Sequence, residues 1–252
     1  MEDLYKKDTY ENKNILYLFN KEINEYDISS AGLNIAKDFN LLPEDTIKYL
    51  EGFSKDKRVV KEGNLQRSNT VFREGLKEGL RECRKWFIES NKLERDDIIS
   101  IRKDAIWTCK RCKHLKFTTN VKFKQKNEFT SFLRIGKRIQ CYYHPMKKIR
   151  VSGIGDTNVS LHEDFMLSFI YRWFNKMETS NPKEVIEFTR RFIDKYKSLE
   201  LPVGFYRTFD NTSKIVTKDG ITLDDYWEDQ KENIDISYNY FNVLLKMIKV
   251  PL

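Results

Sequence analysis

The chain has 252 residues, a formal net charge of +8, 40% hydrophobic and 13% aromatic residues. That composition supports a packed core and excludes a disordered polymer. No apolar run approaches the ~20 residues of a membrane span, and Met1 to Lys7 has no signal-peptide pattern, so a cytoplasmic protein with four reduced cysteines and no membrane partner is expected.

Residues 1–14 are polar and are expected to fray. Ile15 to Phe19 reads as a strand, Asn20 to Asn24 as a connection, and Glu25 to Ile28 as its partner, presenting Asp27. From Ser30 to Phe39 the pattern turns helical, with Ser29 or Ser30 as N-cap. Pro43-Glu44-Asp45 opens a second helix with Ile47, Leu50 and Phe53 inward, and Lys55 to Asn69 is a basic segment. Phe72, Leu76, Leu80, Cys83 and Phe87 then draw one apolar stripe along a long helix. Arg73, Lys77, Arg81 and Arg84 form a basic stripe beside it, while Gly75 and Gly79 mark a close approach by a neighbour.

Ile98 to Trp107 is an apolar, β-branched run interrupted by Lys103-Asp104, which predicts a hairpin with an acid at its turn. Residues 115–155 alternate like strands, and the stripes Phe165-Phe169-Trp173 and Val185-Thr189-Phe192-Tyr196 predict helices. Asn211 to Asp225 is loop-like, and Tyr238 to Ile248 is an apolar helix. The expected organisation is α+β: an N-terminal extension and first strand over 1–22, a body of antiparallel sheet with helices on one face over 23–158, and a helical region over 159–252.

Two features carry chemistry. Asp27 and Asp104 each sit at a strand end, and a pair of acids on neighbouring strands is what a two-metal phosphoryl-transfer site requires. Cys109-Lys-Arg-Cys112 and Cys141-Tyr-Tyr-His144 supply four ligands of the kind a structural zinc site uses, although strand alternation turns Cys141 and His144 to opposite faces.

The order of these pieces resembles the palm and thumb of family B (alpha-like) DNA polymerases in reduced, phage-type form. Glu25-Tyr26-Asp27-Ile28-Ser29-Ser30-Ala31 resembles the family's first motif, an Asp followed three residues later by a Ser that opens a helix. The helix from Thr70 to Asn91, leading into Ile98 to Ala105, resembles the helix and Tyr-Gly-Asp-Thr-Asp-Ser hairpin of that family. Asp104 takes the place of the second Asp and Arg102 that of the first. Gly136-Lys137-Arg138 followed by Tyr142-Tyr143 is similar to the Lys-Lys-Arg-Tyr strand, and Val151-Ser152-Gly153-Ile154 to the Lys-Gly-Ile before the thumb. Departures are plain as well: the steric-gate Tyr falls on Gly32, the fingers motif lacks its spacing, and no exonuclease domain precedes Asp27.

The resemblance implies a template-dependent nucleotidyltransferase adding nucleotides to a primer 3′-hydroxyl, alone or as part of a split polymerase, in the host cytoplasm. Asp27, Asp104 and the Ile28 carbonyl would hold Mg²⁺ or Mn²⁺. Ser30, Lys57, Arg58, Lys61 and Asn64 would bind the nucleoside triphosphate, and Lys137, Arg138 and Tyr142 the primer–template DNA. Other replication proteins or missing polymerase subunits would be its partners. The alternatives are a non-catalytic nucleic-acid-binding replication protein on a degenerate palm, and a basic zinc-containing interaction module.

Overall fold

A computed structural model of the chain describes residues 4–135, 139–152, 163–201, 215–216 and 222–223. It divides into two compact units, one of residues 1–15 and 21–129, the other of 16–20 and 130–252. The division after Phe129 falls earlier than the boundary expected near 158, because β-strands after Phe129 pair among themselves and with residues 17–18.

The first unit is built on a five-stranded antiparallel sheet: β1 (Thr9–Glu11), β3 (Ile23–Ile28), β4 (Ile98–Arg102), β5 (Ala105–Thr108) and β6 (Phe123–Phe129), in the order β1-β4-β5-β3-β6. Tyr26, Ile28, Ile98, Ile101, Ile106 and Phe123 pack with apolar residues of α1 (Ala31–Asp38), α2 (Glu44–Glu51) and α4 (Thr70–Ser90) in one core. Asn69 caps α4 through its side chain, which accepts from the Phe72 amide at 2.9 Å. A Cβ on Gly79 would collide with the Ile35 side chain, and one on Gly75 would come within 2.7 Å of Leu41. The two glycines therefore let α1 and the loop after it lie close against α4, as the sequence indicates. Residues 117–121 are a turn, not a strand: Asp38 accepts from the side chains of Thr118 and Asn120 and from the Val121 amide.

Three expectations change. The N-terminus is folded in: Leu4 is buried, β1 pairs with β4, and the Asp8 carbonyl accepts from the Lys103 amide at 2.7 Å. The strand expected over 15–19 is β2 (Tyr17–Leu18), which pairs with the second unit's sheet and not with Glu25–Ile28. The strand carrying Asp27 instead lies between β5 and β6, and its residues 23–26 are buried accordingly.

The second unit has a four-stranded antiparallel sheet, β2-β7-β8-β9, with β7 (Ser131–Ile135), β8 (Ile139–His144) and β9 (Lys147–Ser152). Helices α5 (Glu163–Thr179) and α6 (Pro182–Lys197) follow. Its core is aromatic: Tyr143 stacks on Phe174 with centroids 5.3 Å apart, and Phe169 packs against Phe192 at 4.1 Å. Two short paired strands, Ile215–Val216 and Thr222–Leu223, lie within the segment expected to be loop-like. The expected helix over 238–248 and Gly153-Ile154 fall outside the described residues. Among the described residues no helix is long and apolar enough to cross a membrane.

Candidate active site

The β4–β5 hairpin forms where the sequence places it. Lys103 and Asp104 make the turn, with Lys103 in the left-handed region at φ 53°. β5 runs beside β3, so Ala105 lies opposite Asp27, and the Ile28 amide donates to the Asp104 carbonyl at 3.3 Å. This register brings the two acids together at one end of the sheet. Burial, followed by the charge of Asp27 and hydrogen bonding with it, pushes the Asp104 carboxyl up to about 6.

Lys126 also enters the site, and the sequence reading overlooked it. The β3–β6 ladder shifts between Glu25 and Tyr26, whose partners are Asn127 and Gln125, leaving Lys126 as the extra residue of a bulge. Its Nζ reaches Asp27 Oδ2 at 2.9 Å. A Lys-x-Lys in a strand gives no sign of this until the register with Asp27 is known. Arg102, at the end of β4, faces Glu11 at 3.8 Å.

Beyond Asp27, Ser30 adopts a left-handed conformation (φ 47°) at the start of α1 and makes no side-chain cap. Its hydroxyl accepts instead from Arg58 Nη2 at 3.0 Å. Arg58 belongs to α3 (Lys55–Ser68), and beside it lies Glu62, a buried acid 3.8 Å from Arg58 Nε. Burial holds Glu62 above the usual carboxylate range, against the opposing pull of Arg58. The Glu62 carboxylate fills the space beside Gly32, where a Cβ would collide with it. Gly32 thus leaves room for an acid from α3. Lys57, Lys61 and Asn64 are exposed on another face of α3, and Lys61 lies over the Phe53 ring.

Several expected ligands are not gathered. Tyr142 is buried in the second unit, where it packs on Phe132 and donates to Gln140 at 3.0 Å, so it presents no surface to DNA. Lys137 and Arg138 lie outside the described residues. Among the described residues no three His, Cys, Asp or Glu side chains form a group that could hold a metal ion; of the four residues suited to zinc, Cys109 and Cys112 belong to the first unit and Cys141 and His144 to the second. Cys109 Sγ donates to the Asp96 carbonyl at 3.3 Å, and Cys112 Sγ lies 3.7 Å from the Lys110 carbonyl. Cys141 is fully buried in the second unit, and burial pushes its thiol up to about 12. His144 Nδ1 accepts from the Met146 amide at 3.0 Å.

A family model for the bacteriophage PBS1 gene 130 protein matches residues 1–252. The chain belongs to that family. No curated protein matches this member of the family. It is similar to the family B DNA polymerase of the hyperthermophilic archaeon Pyrobaculum calidifontis, at 13% identity and a TM-score of 0.44. The likeness covers 77% of this chain and 36% of the polymerase, so the chain spans about a third of that protein's length.

Proposed function

We propose that this phage-family protein is a template-dependent nucleotidyltransferase whose reaction is centred on Asp27 and Asp104. The observation that carries this reading is the adjacency of the two carboxylates on β3 and on the β4–β5 turn, where burial and then the charge of Asp27 raise the Asp104 pKa. Two acids forced together and partly desolvated are relieved by a divalent cation, and an oxygen-only donor set suits Mg²⁺ or Mn²⁺. Asp27, Asp104 and the Ile28 carbonyl would hold the ions. When bound, they would lower the pKa of a primer 3′-hydroxyl and neutralise the charge of the triphosphate.

The remaining residues act by charge and position. Arg58, oriented by Glu62 and by the Ser30 hydroxyl, offers a planar fork to phosphate. Lys57 and Lys61 add positive charge on the exposed face of the same helix, and Asn64 adds a polar contact there. Lys126 offsets the charge of Asp27 in the absence of a cation and can turn to an incoming phosphate once Asp27 is engaged. Lys137 and Arg138 would contact the duplex backbone.

The test is primer extension on a labelled primer–template with deoxy- or ribonucleoside triphosphates and Mg²⁺ or Mn²⁺. Extension by the wild type that is lost in Asp27→Ala and Asp104→Ala supports the reading. Extension that survives Asp104→Ala refutes the site.

The Lys126–Asp27 ion pair and the Arg102 substitution favour a second reading, a nucleic-acid-binding replication subunit without chemistry of its own. Salt-dependent DNA binding that is indifferent to both Asp substitutions, with no extension in any mixture, would select it.

A further inference from the structure

Arg84 departs from the basic stripe to which its spacing assigns it. Lys77 pairs with Glu74 and Arg81 with Glu78 at the surface, whereas Arg84 has no exposed side-chain area. Burying a guanidinium is unfavourable unless its donors are used. Here they reach three acceptors: Nε donates to the Tyr5 carbonyl at 3.0 Å, Nη1 to the Lys103 carbonyl at 2.7 Å, and Nη2 to Asp8 Oδ1 at 3.3 Å. Asp8 completes the arrangement, its carbonyl accepting from the Lys103 amide at 2.7 Å. Lys103 is thus held at both its N–H and its C=O.

Lys103 is a residue that needs such support. Its φ of 53° lies in the left-handed region, which side-chain-bearing residues adopt at a cost when unsupported. The next residue is Asp104, whose own carbonyl accepts from the Ile28 amide. A rigid path therefore runs from α4 through Lys103 to the carboxylate and on to the strand that carries Asp27.

We infer that Arg84 is the positioning residue of the two-carboxylate site: with Asp8 it clamps the β4–β5 turn and so aims Asp104 at the cation that Asp27 shares. The inference rests on the proposed reading of that site. Arg84 acts through Lys103, and its fork is needed because three acceptors from two segments, residues 5–8 and the β4–β5 turn, converge on it; a lysine offers one compact head group in its place.

The experiment measures Mn²⁺ binding by electron paramagnetic resonance, and nucleotide KM at saturating Mn²⁺, for the full chain and for Arg84→Lys and Asp104→Ala. Circular dichroism at the working temperature confirms that each variant is folded. Wild type should bind Mn²⁺ and Asp104→Ala should not. Arg84→Lys should bind about tenfold or more weakly, as substitution of groups that support metal ligands commonly does, with nucleotide KM within about twofold of wild type. A general loosening of the fold would move both quantities together. Wild-type Mn²⁺ affinity in Arg84→Lys overturns the inference and leaves the two-carboxylate site standing. No Mn²⁺ binding by the wild type overturns that site and the inference with it. If Arg84→Lys does not fold, Asp8→Ala decides by the same criterion, weaker Mn²⁺ binding supporting the clamp and unchanged binding overturning it.

Discussion

Asp104 and Asp27 sit side by side on antiparallel neighbours, with the Asp104 carbonyl accepting from the amide that follows Asp27 and the Asp104 carboxyl pushed up to about 6. A fold gains nothing in stability from placing two acids together at a partly buried strand end. Such unfavourable placement is common where chemistry is done.

The pair makes the metal-free protein sensitive to pH in a defined direction. Because the folded state holds the Asp104 proton more tightly than the ordinary carboxylate value of 3.8, the associated stability is present below about pH 3.8 and is lost as pH rises towards 6. Asp104→Asn removes that loss. In EDTA at pH 7.5 the variant should be more stable than wild type by about 1–3 kcal/mol, at 1.36 kcal/mol per pKa unit. The gap should close at pH 4. Urea unfolding at the two pH values checks both statements.

Lys126 competes with any cation for Asp27, to which it is bound at 2.9 Å. Lys126→Met should therefore tighten Mg²⁺ binding by up to about fivefold, the upper end of the roughly 0.2–1 kcal/mol of an exposed ion pair. Extension should slow if the lysine also meets phosphate. Titration of Mg²⁺ against thermal stability reads the first effect, and single-turnover extension reads the second.

Arg58→Ala should leave the buried Glu62 without its cation, lowering stability at pH 7.5 by about 1–3 kcal/mol. Glu62 already sits above the usual carboxylate range. Protonation relieves it, so the defect should shrink as pH falls into that range. Stability measured at pH 7.5 and pH 5 tests the sign.

Two glycines in helices should respond oppositely to alanine. Gly63 in α3 has no atom within 4 Å of an added Cβ, so Gly63→Ala should stabilise by about 0.5–1 kcal/mol. In α4 the Ile35 side chain occupies that space at Gly79, and Gly79→Ala should destabilise by about 1 kcal/mol or more as overpacking outweighs helix propensity. Thermal denaturation of both variants checks the pair.

The sequence carried the hairpin clearly, because the apolar flanks of Lys103-Asp104 have one way to pair and turn. It also carried α4, whose stripe and glycines are periodic. It did not reveal that β2 joins the second sheet, since a two-residue strand has no pattern to identify its partner. Arg84 read as a surface cation because helical spacing reports a face and not the acceptors that bury it. Tyr142 read as a DNA contact by analogy of motif, whereas β8 turns it into an aromatic core. Lys126 was illegible because its reach to Asp27 depends on a bulge, and a bulge is a property of two strands paired.

The central claim, that Asp27 and Asp104 jointly bind a divalent cation, is tested most directly by the thermal shift that Mg²⁺ produces. A cation bound only by the folded state raises stability by RT ln(1 + [L]/Kd). The account predicts a Mg²⁺-dependent rise in Tm for wild type that vanishes in Asp27→Asn, in Asp104→Asn and in the double variant alike. A full wild-type shift retained in either single variant would contradict it.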